Sequence, residues 1–305
     1  MKILVTIPHY YKYDPQVNYG SSREREAGRI EVVRKTVLAL RRLFSLPAAY
    51  STAQEGEHGW EDRYFLYHPA NTSFHYEVDI VICTRGKDHL LEKLDLPAGM
   101  FLQGVSDGVE DPMALGFACH QVLQSCFGEY DFYCYMEDDL VLHDEFFFQK
   151  LLWFEKQFGD ACLLQPLRYQ LGKREEFFKT YNDFELEETL MSEFRPTPAP
   201  LKAEYLGREI SFIKSSNPHS GCFFLTPAQY ERLLCAPSYG TVRQGFVTLL
   251  ESAASLDISE NLAVYKPSYE NGAFLEIEHV GGYPADEFRV DAEEFRQQGY
   301  ELKEV

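Results

Sequence analysis

Residues 131–148 read DFYCYMEDDLVLHDEFFF. The apolar and aromatic part, 132–136, has the composition of a buried strand and leads directly into three consecutive acids, Glu137, Asp138 and Asp139. Adjacent carboxylates repel one another, so holding them half-buried at a strand end requires a cation or several hydrogen-bond donors among them. A divalent metal ion is the simplest such partner. If the strand belongs to an open parallel sheet, the acids lie at the edge where such sheets bind ligands, which suits a metal that neutralises a phosphate.

Outside this stretch the chain alternates between strand-like and helix-like segments. Short apolar runs predict strands at 2–7, 64–67, 78–84, 100–105, 161–167, 222–225, 263–265 and 275–277. Helical spacing and helix-start residues predict helices at 22–44, 87–96, 111–127, 144–158, 227–234 and 241–256. The alternation is typical of an α/β fold.

The length of 305 residues allows one or two domains, and we interpret residues 1–305 as one α/β domain. The composition shifts to charge and proline in 169–214, where core periodicity is lost. This segment predicts an insertion, either a hairpin with a mobile flap over the site or a surface insertion without such a role.

The bulk composition excludes several classes of protein. Hydrophobic residues at 45% and aromatic residues at 15% exclude a disordered chain, despite a formal net charge of −19. Such a negative surface repels nucleic acid and anionic lipid unless basic residues are concentrated in a patch. The longest basic clustering, in 34–42, fits a solvated helix face. We therefore expect no nucleic-acid partner.

The cysteines and the N-terminal residues indicate the cellular compartment of the protein. Seven cysteines with no CxxC pair indicate small buried side chains in a reducing compartment and argue against a zinc site. The apolar run in 1–14 is too short for a signal peptide, and no later run is long enough to span a membrane. The sequence predicts a cytoplasmic protein, either free or held at the inner face of the membrane through a partner.

The run MEDDLVLHDEFF, 136–147, resembles the metal-binding segment of GT-A glycosyltransferases. There the DxD motif, in its EDD variant, is followed by hydrophobic residues, a short turn and an aromatic-rich helix. The run is especially similar to the form EDDLxxxxDFF of N-acetylglucosaminyltransferase I and its relatives. Acid triplets that lack this context are mostly solvated turns. The resemblance implies a GT-A, Rossmann-like fold with three α/β/α layers around a mostly parallel sheet.

The same resemblance implies an activity and a cofactor. A GT-A enzyme moves a sugar from a nucleotide-sugar donor, such as a UDP-sugar or GDP-sugar, to a hydroxyl on a glycan or other acceptor. In that scheme Asp139 ligates Mn²⁺ or Mg²⁺, while Glu137 and Asp138 contact the ribose or metal-bound water. Many GT-A enzymes use a C-terminal histidine as a further metal ligand, and His279 resembles it in order and setting. The alternative for His279 is a structural role.

Two loops are candidates for nucleotide binding. The first strand is expected to stop at Pro8, so that Pro8, His9 and Tyr10 begin an aromatic turn. In a GT-A fold this loop borders the nucleotide base, although its tyrosines could instead cover the sheet edge. Arg85 follows the predicted strand 78–84, where a guanidinium beside a glycine could bind the nucleotide.

The turn before strand 222–225 is similar to the GT-A wall that contacts the donor sugar and the acceptor. His219, Ser220 and Gly221 are therefore candidate substrate contacts. The alternative is a turn whose polar groups are satisfied internally.

The predicted helix 241–256 carries Glu251 near its middle. Inverting GT-A enzymes place an acid on such a helix as the base that deprotonates the acceptor hydroxyl, and Glu251 matches by chain order, with Asp257 as reserve. Arg243 or Lys214 could assist at the diphosphate. A glutamate on an exposed helix face is the alternative.

Arginines near the start of the predicted helix 22–44 are expected to be surface charge. Arg23 and Arg29 could meet a phosphate, but cations at a helix start oppose its dipole.

Two other functions remain open at this point. A nucleotidyltransferase shares the α/β plan and metal carboxylates, but it usually carries a glycine-rich, basic loop after the first strand, and IPHYYKYD at 7–14 has no glycine. A non-catalytic sugar-binding or Ca²⁺-binding module could use the same acids.

Overall fold

The computed structural model describes residues 1–13, 26–45, 49–55, 64–70, 72, 75–171, 179–183, 200–246 and 248–280. In these ranges the strands, in chain order, are β1 (Lys2–His9), β2 (Tyr50–Glu55), β3 (Tyr64–Pro69), β4 (Glu77–Thr84), β5 (Leu102–Val105), β6 (Phe132–Met136), β7 (Leu140–Val141), β8 (Cys162–Leu164), β9 (Leu167–Leu171), β10 (Lys179–Tyr181), β11 (Leu201–Tyr205), β12 (Arg208–Lys214), β13 (Cys222–Leu225), β14 (Ala263–Pro267) and β15 (Glu276–His279). The α-helices are α1 (Glu26–Phe44), α2 (Leu115–Ser125), α3 (Phe147–Phe158), α4 (Pro227–Leu234) and α5 (Leu249–Asn261).

The central sheet has the order β13-β6-β1-β4-β5. Strands β1, β4, β5 and β6 run parallel, and β13 is antiparallel beside β6. The chain moves from β1 outward to β4 and β5, then returns to place β6 on the other side of β1. Strand order therefore reverses between β1 and β6, and a crevice forms at the carboxyl ends of these two strands. The predicted α/β class with a mostly parallel sheet is confirmed.

Helices cover both faces of this sheet because successive strand side chains point to opposite sides. On β6, Phe132, Cys134 and Met136 join one core, while Tyr133 and Tyr135 join the other. The first core includes the buried faces of α1 and α3, and the second includes those of α2, α4 and α5. Three layers result, with the sheet in the middle.

Two further sheets are formed by strands that follow β6 in the chain, with the orders β10-β9-β15-β7 and β11-β12-β14-β8. Strand β7 follows the acid triplet directly and pairs antiparallel with β15, so that Leu140 lies opposite His279. Leu140 and Val141 are fully buried, which explains why this short strand forms. The pairing carries the end of β15 to the acids.

The first strand differs from its prediction. Strand β1 does not stop at Pro8 but continues to His9, paired with β4 along its whole length. Pairing with β6 ends at Thr6. Pro8 lies beyond this point, where no strand pairs with β1 on that side, so the N–H that proline lacks is not needed there. The predicted aromatic turn at 8–11 is therefore wrong at its start.

The helix that carries Glu251 also differs. Helix α5 begins at Leu249 instead of 241, because the Thr248 side chain accepts a hydrogen bond from the Glu251 backbone N–H and caps the helix there. Glu251 consequently lies in the first turn and not near the middle. By contrast, the predicted start of α4 is confirmed, with Thr226 as N-cap and Pro227 as the first helical residue.

Other boundaries shift for local reasons. The predicted strand 161–167 is two strands, β8 and β9, which join different sheets on either side of Pro166. The predicted helix 87–96 is a short 3-10 turn at Leu91–Lys93. In 169–214 the predicted hairpin is present as β11 and β12, whereas 172–178 and 184–199 lie outside the described residues and the flap stays a prediction.

In the described ranges, no helix combines the length and the apolar character needed to cross a membrane.

Candidate functional site

Asp138 lies in the crevice between β1 and β6, where it links His9 of β1 to Arg29 of α1. Its Oδ2 atom lies 2.5 Å from His9 Nδ1, and its Oδ1 atom accepts a short hydrogen bond from Arg29. His9 Nε2 accepts the Leu90 backbone N–H at 3.1 Å, so Nδ1 carries the ring proton and donates it to Asp138. Burial would raise the pKa of Asp138, but Arg29 and His9 outweigh it and lower the pKa to about 2. Both carboxylate oxygens of Asp138 are thus engaged by protein groups.

Asp139 is the acid with an unmet oxygen. Its Oδ2 atom lies 3.4 Å from Arg29 Nη1 and 3.6 Å from His279 Nε2, both longer than good hydrogen bonds. Its Oδ1 atom is buried and has no hydrogen-bond partner among the described residues. A buried carboxylate oxygen without a partner is costly and marks a place for a cation or an ordered donor.

His279 reaches Asp139 from the end of β15. Its Nδ1 atom lies 3.3 Å from Gln170 Nε2, and the Gln170 Oε1 atom is buried without a partner in the described part of the chain. Exchanging the amide oxygen and nitrogen of Gln170 would satisfy both groups, since Oε1 then accepts Nδ1–H. With Nδ1 protonated, the neutral ring leaves Nε2 without a proton, which is the form that ligates a cation, whereas the protonated ring places Nε2–H beside Asp139. Burial would lower the pKa of His279, but the Asp139 carboxylate outweighs it and the pKa is raised.

Asp139 and His279 are too few to hold a metal ion by themselves. Within the described ranges, no three His, Cys, Asp or Glu side chains are grouped to hold a metal. The structure brings two predicted ligands together, Asp139 and His279. Mg²⁺ and related ions are often held by one or two protein groups plus substrate phosphates and water. The residues therefore fit a Mn²⁺ or Mg²⁺ ion that arrives with a phosphate ligand, and they do not form a closed metal cage.

Glu137 faces the turn before β13. Its backbone N–H donates to the Gly221 carbonyl at 2.9 Å, and a Cβ at Gly221 would lie 2.6 Å from Glu137 Oε2. Gly221 also has φ +61°, so both the space and the backbone require glycine. Burial, reinforced by the charge of Asp139, raises the pKa of Glu137 to about 7. The pKa values of the adjacent acids Glu137 and Asp138 thus differ widely.

The other two residues of the predicted substrate wall lie in the interior. His219 Nδ1 lies 3.1 Å from Ser255 Oγ, and the Ser220 hydroxyl donates to the Pro166 carbonyl at 3.1 Å. Ser220 is fully buried and His219 nearly so. Of the three predicted wall residues, only Gly221 borders the acids.

The predicted bases separate in space. Glu251 lies close enough to Glu137 for its charge to raise the pKa of that group, and one of its oxygens accepts a hydrogen bond from the Thr248 hydroxyl. Asp257 is instead a buried acceptor for Arg243 at 2.8 Å and for the Gly240 N–H at 3.2 Å. Asp257 therefore anchors the segment before α5, and its expected reserve role at the acceptor hydroxyl is not supported by its position.

The predicted diphosphate contacts are not brought to the acids. Arg243 is paired with Asp257 and with Glu260, at 2.7 Å for the latter. Lys214 ends β12 and pairs with Tyr265 in a separate sheet. Arg85, by contrast, follows β4 at the same edge as β1 and β6, where its Nη1 lies 3.7 Å from Asp88.

Tyr10 and Pro8 complete the predicted nucleotide loop. Tyr10 follows β1 at the carboxyl edge and is half-buried against the core below α2, so part of its ring borders this edge. Pro8 and His9 are buried within β1 itself, and neither can stack on a base in this position.

Two sets of charge-pair contacts were not predicted from the sequence. The first is Arg29, expected to be surface charge, which binds both Asp138 and Asp139; we call Arg29, Asp138, Asp139 and His279 the crevice cluster. The second is a buried network that we call the interior cluster, formed by Arg168, Asp183 and Lys266. A lysine in the apolar run of β14 was a signal for the second set, whereas no local pattern marks Arg29.

Comparison with models of protein families finds none that matches this chain, and comparison with curated proteins finds no match either. The geometry of the crevice therefore carries the functional argument.

Proposed function

We propose that this chain is a GT-A glycosyltransferase that moves a sugar from a UDP-sugar or GDP-sugar to a hydroxyl on a glycan or polysaccharide precursor, with Mn²⁺ or Mg²⁺. The observation that supports it most is the unmet oxygen of Asp139 beside His279, at the point of the sheet where strand order reverses. Open α/β sheets bind their ligands at this point.

The charges of the crevice favour a donor that arrives with a metal. A diphosphate would be repelled by Asp138 and Asp139 if it approached alone. Asp139 and His279 would hold a divalent cation, whose positive charge would outweigh the repulsion between the acids and the diphosphate. The bound ion would neutralise the charge that develops on the leaving diphosphate.

The acceptor hydroxyl must lose its proton as the diphosphate leaves. Glu251 is the proposed base, because it lies at the start of α5, close enough to Glu137 for its charge to raise the pKa of that group. Thr248 donates to Glu251 Oε2, which leaves Oε1 to take the proton. Glu137 is the second candidate, since a carboxyl with a pKa of about 7 can hold or release a proton near neutrality.

The deciding experiment compares wild type with Asp139→Asn, using Asp160→Asn as the control because Asp160 forms an exposed ion pair with Arg232. We expect wild type to hydrolyse at least one sugar of a UDP-sugar and GDP-sugar panel with Mn²⁺. Calorimetry should show that Asp139→Asn weakens UDP or GDP binding in Mn²⁺ by at least about 10- to 100-fold, the range found for metal-site substitutions. The control should bind like wild type.

Other outcomes would identify another function. Release of pyrophosphate from a nucleoside triphosphate and a sugar phosphate would indicate a nucleotidyltransferase. Binding of Ca²⁺ or free sugar with no nucleotide affinity would indicate a non-catalytic module. Equal nucleotide affinity in wild type and Asp139→Asn would remove the proposed role of the acid.

A further inference from the structure

Arg29 lies across the two aspartates of the crevice cluster. It is the fourth residue of α1, and its side chain is 21% exposed. Nη2 makes a short hydrogen bond to Asp138 Oδ1, while Nη1 lies 3.4 Å from Asp139 Oδ2. One guanidinium therefore bridges two neighbouring carboxylates instead of pairing with both oxygens of one.

The two ends of this bridge differ in strength. At the Asp138 end the acceptor is buried and is also fixed by His9 at 2.5 Å, so this contact is short and well oriented. At the Asp139 end the separation of 3.4 Å is beyond the usual range for a charged hydrogen bond. The Arg29 contact with Asp138 is thus stronger than its contact with Asp139.

A divalent cation and Arg29 would compete for Asp139. Oδ2 lies between Arg29 and His279, and the unmet Oδ1 belongs to the same carboxylate. An ion bound there would repel Nη1, because two like charges a few ångströms apart in a partly buried site interact strongly. The weaker contact, between Nη1 and Asp139, would then break, while the contact with Asp138 stays.

We propose that Arg29 exchanges partners, neutralising Asp139 when no donor is bound and turning Nη1 to a diphosphate oxygen when a divalent cation occupies Asp139. The planar guanidinium suits phosphate oxygens, and Asp138 keeps it at the rim of the crevice. This inference rests on the proposed function, since it needs a diphosphate and a divalent cation in the crevice. It makes the binding of the two ligands mutually dependent.

The test uses Arg29→Gln, with Arg34→Gln as a matched control. Arg34 is on the same helix and is partly exposed, with Glu31 at 3.8 Å. Calorimetry measures the binding of Mn²⁺ alone, then of UDP and GDP at saturating Mn²⁺. We expect Arg29→Gln to tighten Mn²⁺ binding by about 3- to 10-fold, because a competing cation is lost, and to weaken nucleotide binding by roughly tenfold or more. Arg34→Gln should change neither.

The opposite signs of the two effects are the signature of the exchange. If both affinities fall, Arg29 only organises the acids, and if neither changes, it contacts no ligand; each result overturns the inference. Should Arg29→Gln fail to fold, Arg29→Lys replaces it, since an ammonium stays on Asp138 but cannot span both acids. Arg29→Lys should show the same two signs with smaller changes. Wild type that binds no nucleotide with Mn²⁺ refutes the proposed function itself, whereas normal wild-type binding without the opposite changes refutes only the exchange.

Discussion

The crevice cluster and the interior cluster use the same kinds of charged side chain in opposite ways. In the interior cluster, Asp183 Oδ1 accepts from Arg168 Nε at 2.8 Å, and Oδ2 accepts from Lys266 Nζ at 2.9 Å. The Asp183 side chain has no exposed surface. In the crevice cluster the side-chain contacts of Asp139 exceed 3.3 Å, and one of its carboxylate oxygens has no partner among the described residues. A buried network whose hydrogen bonds are all formed supports the fold. A cluster with an unpaired buried oxygen at the edge of the sheet can instead accept a ligand.

The pKa values of the acids also differ between the interior cluster and the crevice. Burial would raise the pKa of Asp183, but Lys266 and Arg168 outweigh it and hold the pKa well below its usual range. In the crevice, Asp138 also has a lowered pKa, while the pKa of Glu137 next to it is raised to about 7. The single acid of the interior cluster therefore stays ionised, whereas neighbouring acids with widely different pKa values are typical of sites that act on a substrate.

Breaking the interior cluster should give the largest effect. Asp183→Asn leaves Arg168 and Lys266 buried next to each other without their shared anion. We expect the free energy of unfolding to fall by about 3–5 kcal/mol, the usual cost of removing one partner from a buried ion pair. Chemical denaturation at neutral pH measures this change. Asp160→Asn, at an exposed ion pair, is the control and should leave the unfolding midpoint unchanged. Equal losses in both variants would mean that the interior cluster is not a special support.

The fold was largely predictable because its signals are local. Strand-like runs and helical spacing predicted β4, β6 and the buried face of α1, where Val33, Val37 and Leu40 pack on the sheet. The errors arose where a distant partner decides the outcome. Pro8 is tolerated in β1 because β6 is too short to pair with it. A single capping threonine, Thr248, moved the start of α5 by eight residues from its prediction.

The second prediction concerns the raised pKa of Glu137. Between the unfolded value of 4.5 and the folded value of about 7, the folded chain keeps a proton that the unfolded chain has released. The free energy of unfolding should therefore fall as pH rises through this window, by up to about 3 kcal/mol. Glu137→Gln should remove this fall when denaturation is measured at several pH values without metal.

A control and a second variant sharpen this prediction. Glu204→Gln, on the exposed part of β11, should keep the wild-type pH profile. Asp139→Asn should move the fall to lower pH, because Asp139 is the largest charge contribution to the raised pKa of Glu137. A flat wild-type profile between pH 4.5 and 7 would show that Glu137 titrates normally.

The candidate site was only partly predictable. The acid triplet is visible in the sequence, and its resemblance suggested His279, which the structure places 3.6 Å from Asp139. Arg29 was assigned to the surface because helix position alone cannot show that two carboxylates lie opposite it. The partners of Asp183 are 15 and 83 residues away, so no local pattern could connect them.

The smallest expected effect concerns His279 and shows whether this residue of the crevice cluster is a ligand of the metal ion. If His279 is a ligand, His279→Gln should raise the Mn²⁺ concentration needed for nucleotide binding by about 3- to 10-fold, with recovery at high Mn²⁺, since Asp139 and the diphosphate remain. His143→Gln is the matched control, because His143 also binds an acid, Glu278, but is half exposed.

The pKa of His279 is raised, so wild-type Mn²⁺ affinity should fall as pH drops through that pKa, when the imidazole gains a proton and cannot ligate. His279→Gln should lose this pH dependence and His143→Gln should keep it. Identical Mn²⁺ curves for the two variants would show that Asp139 holds the ion without His279, and that the histidine serves only to balance the charge of the acid.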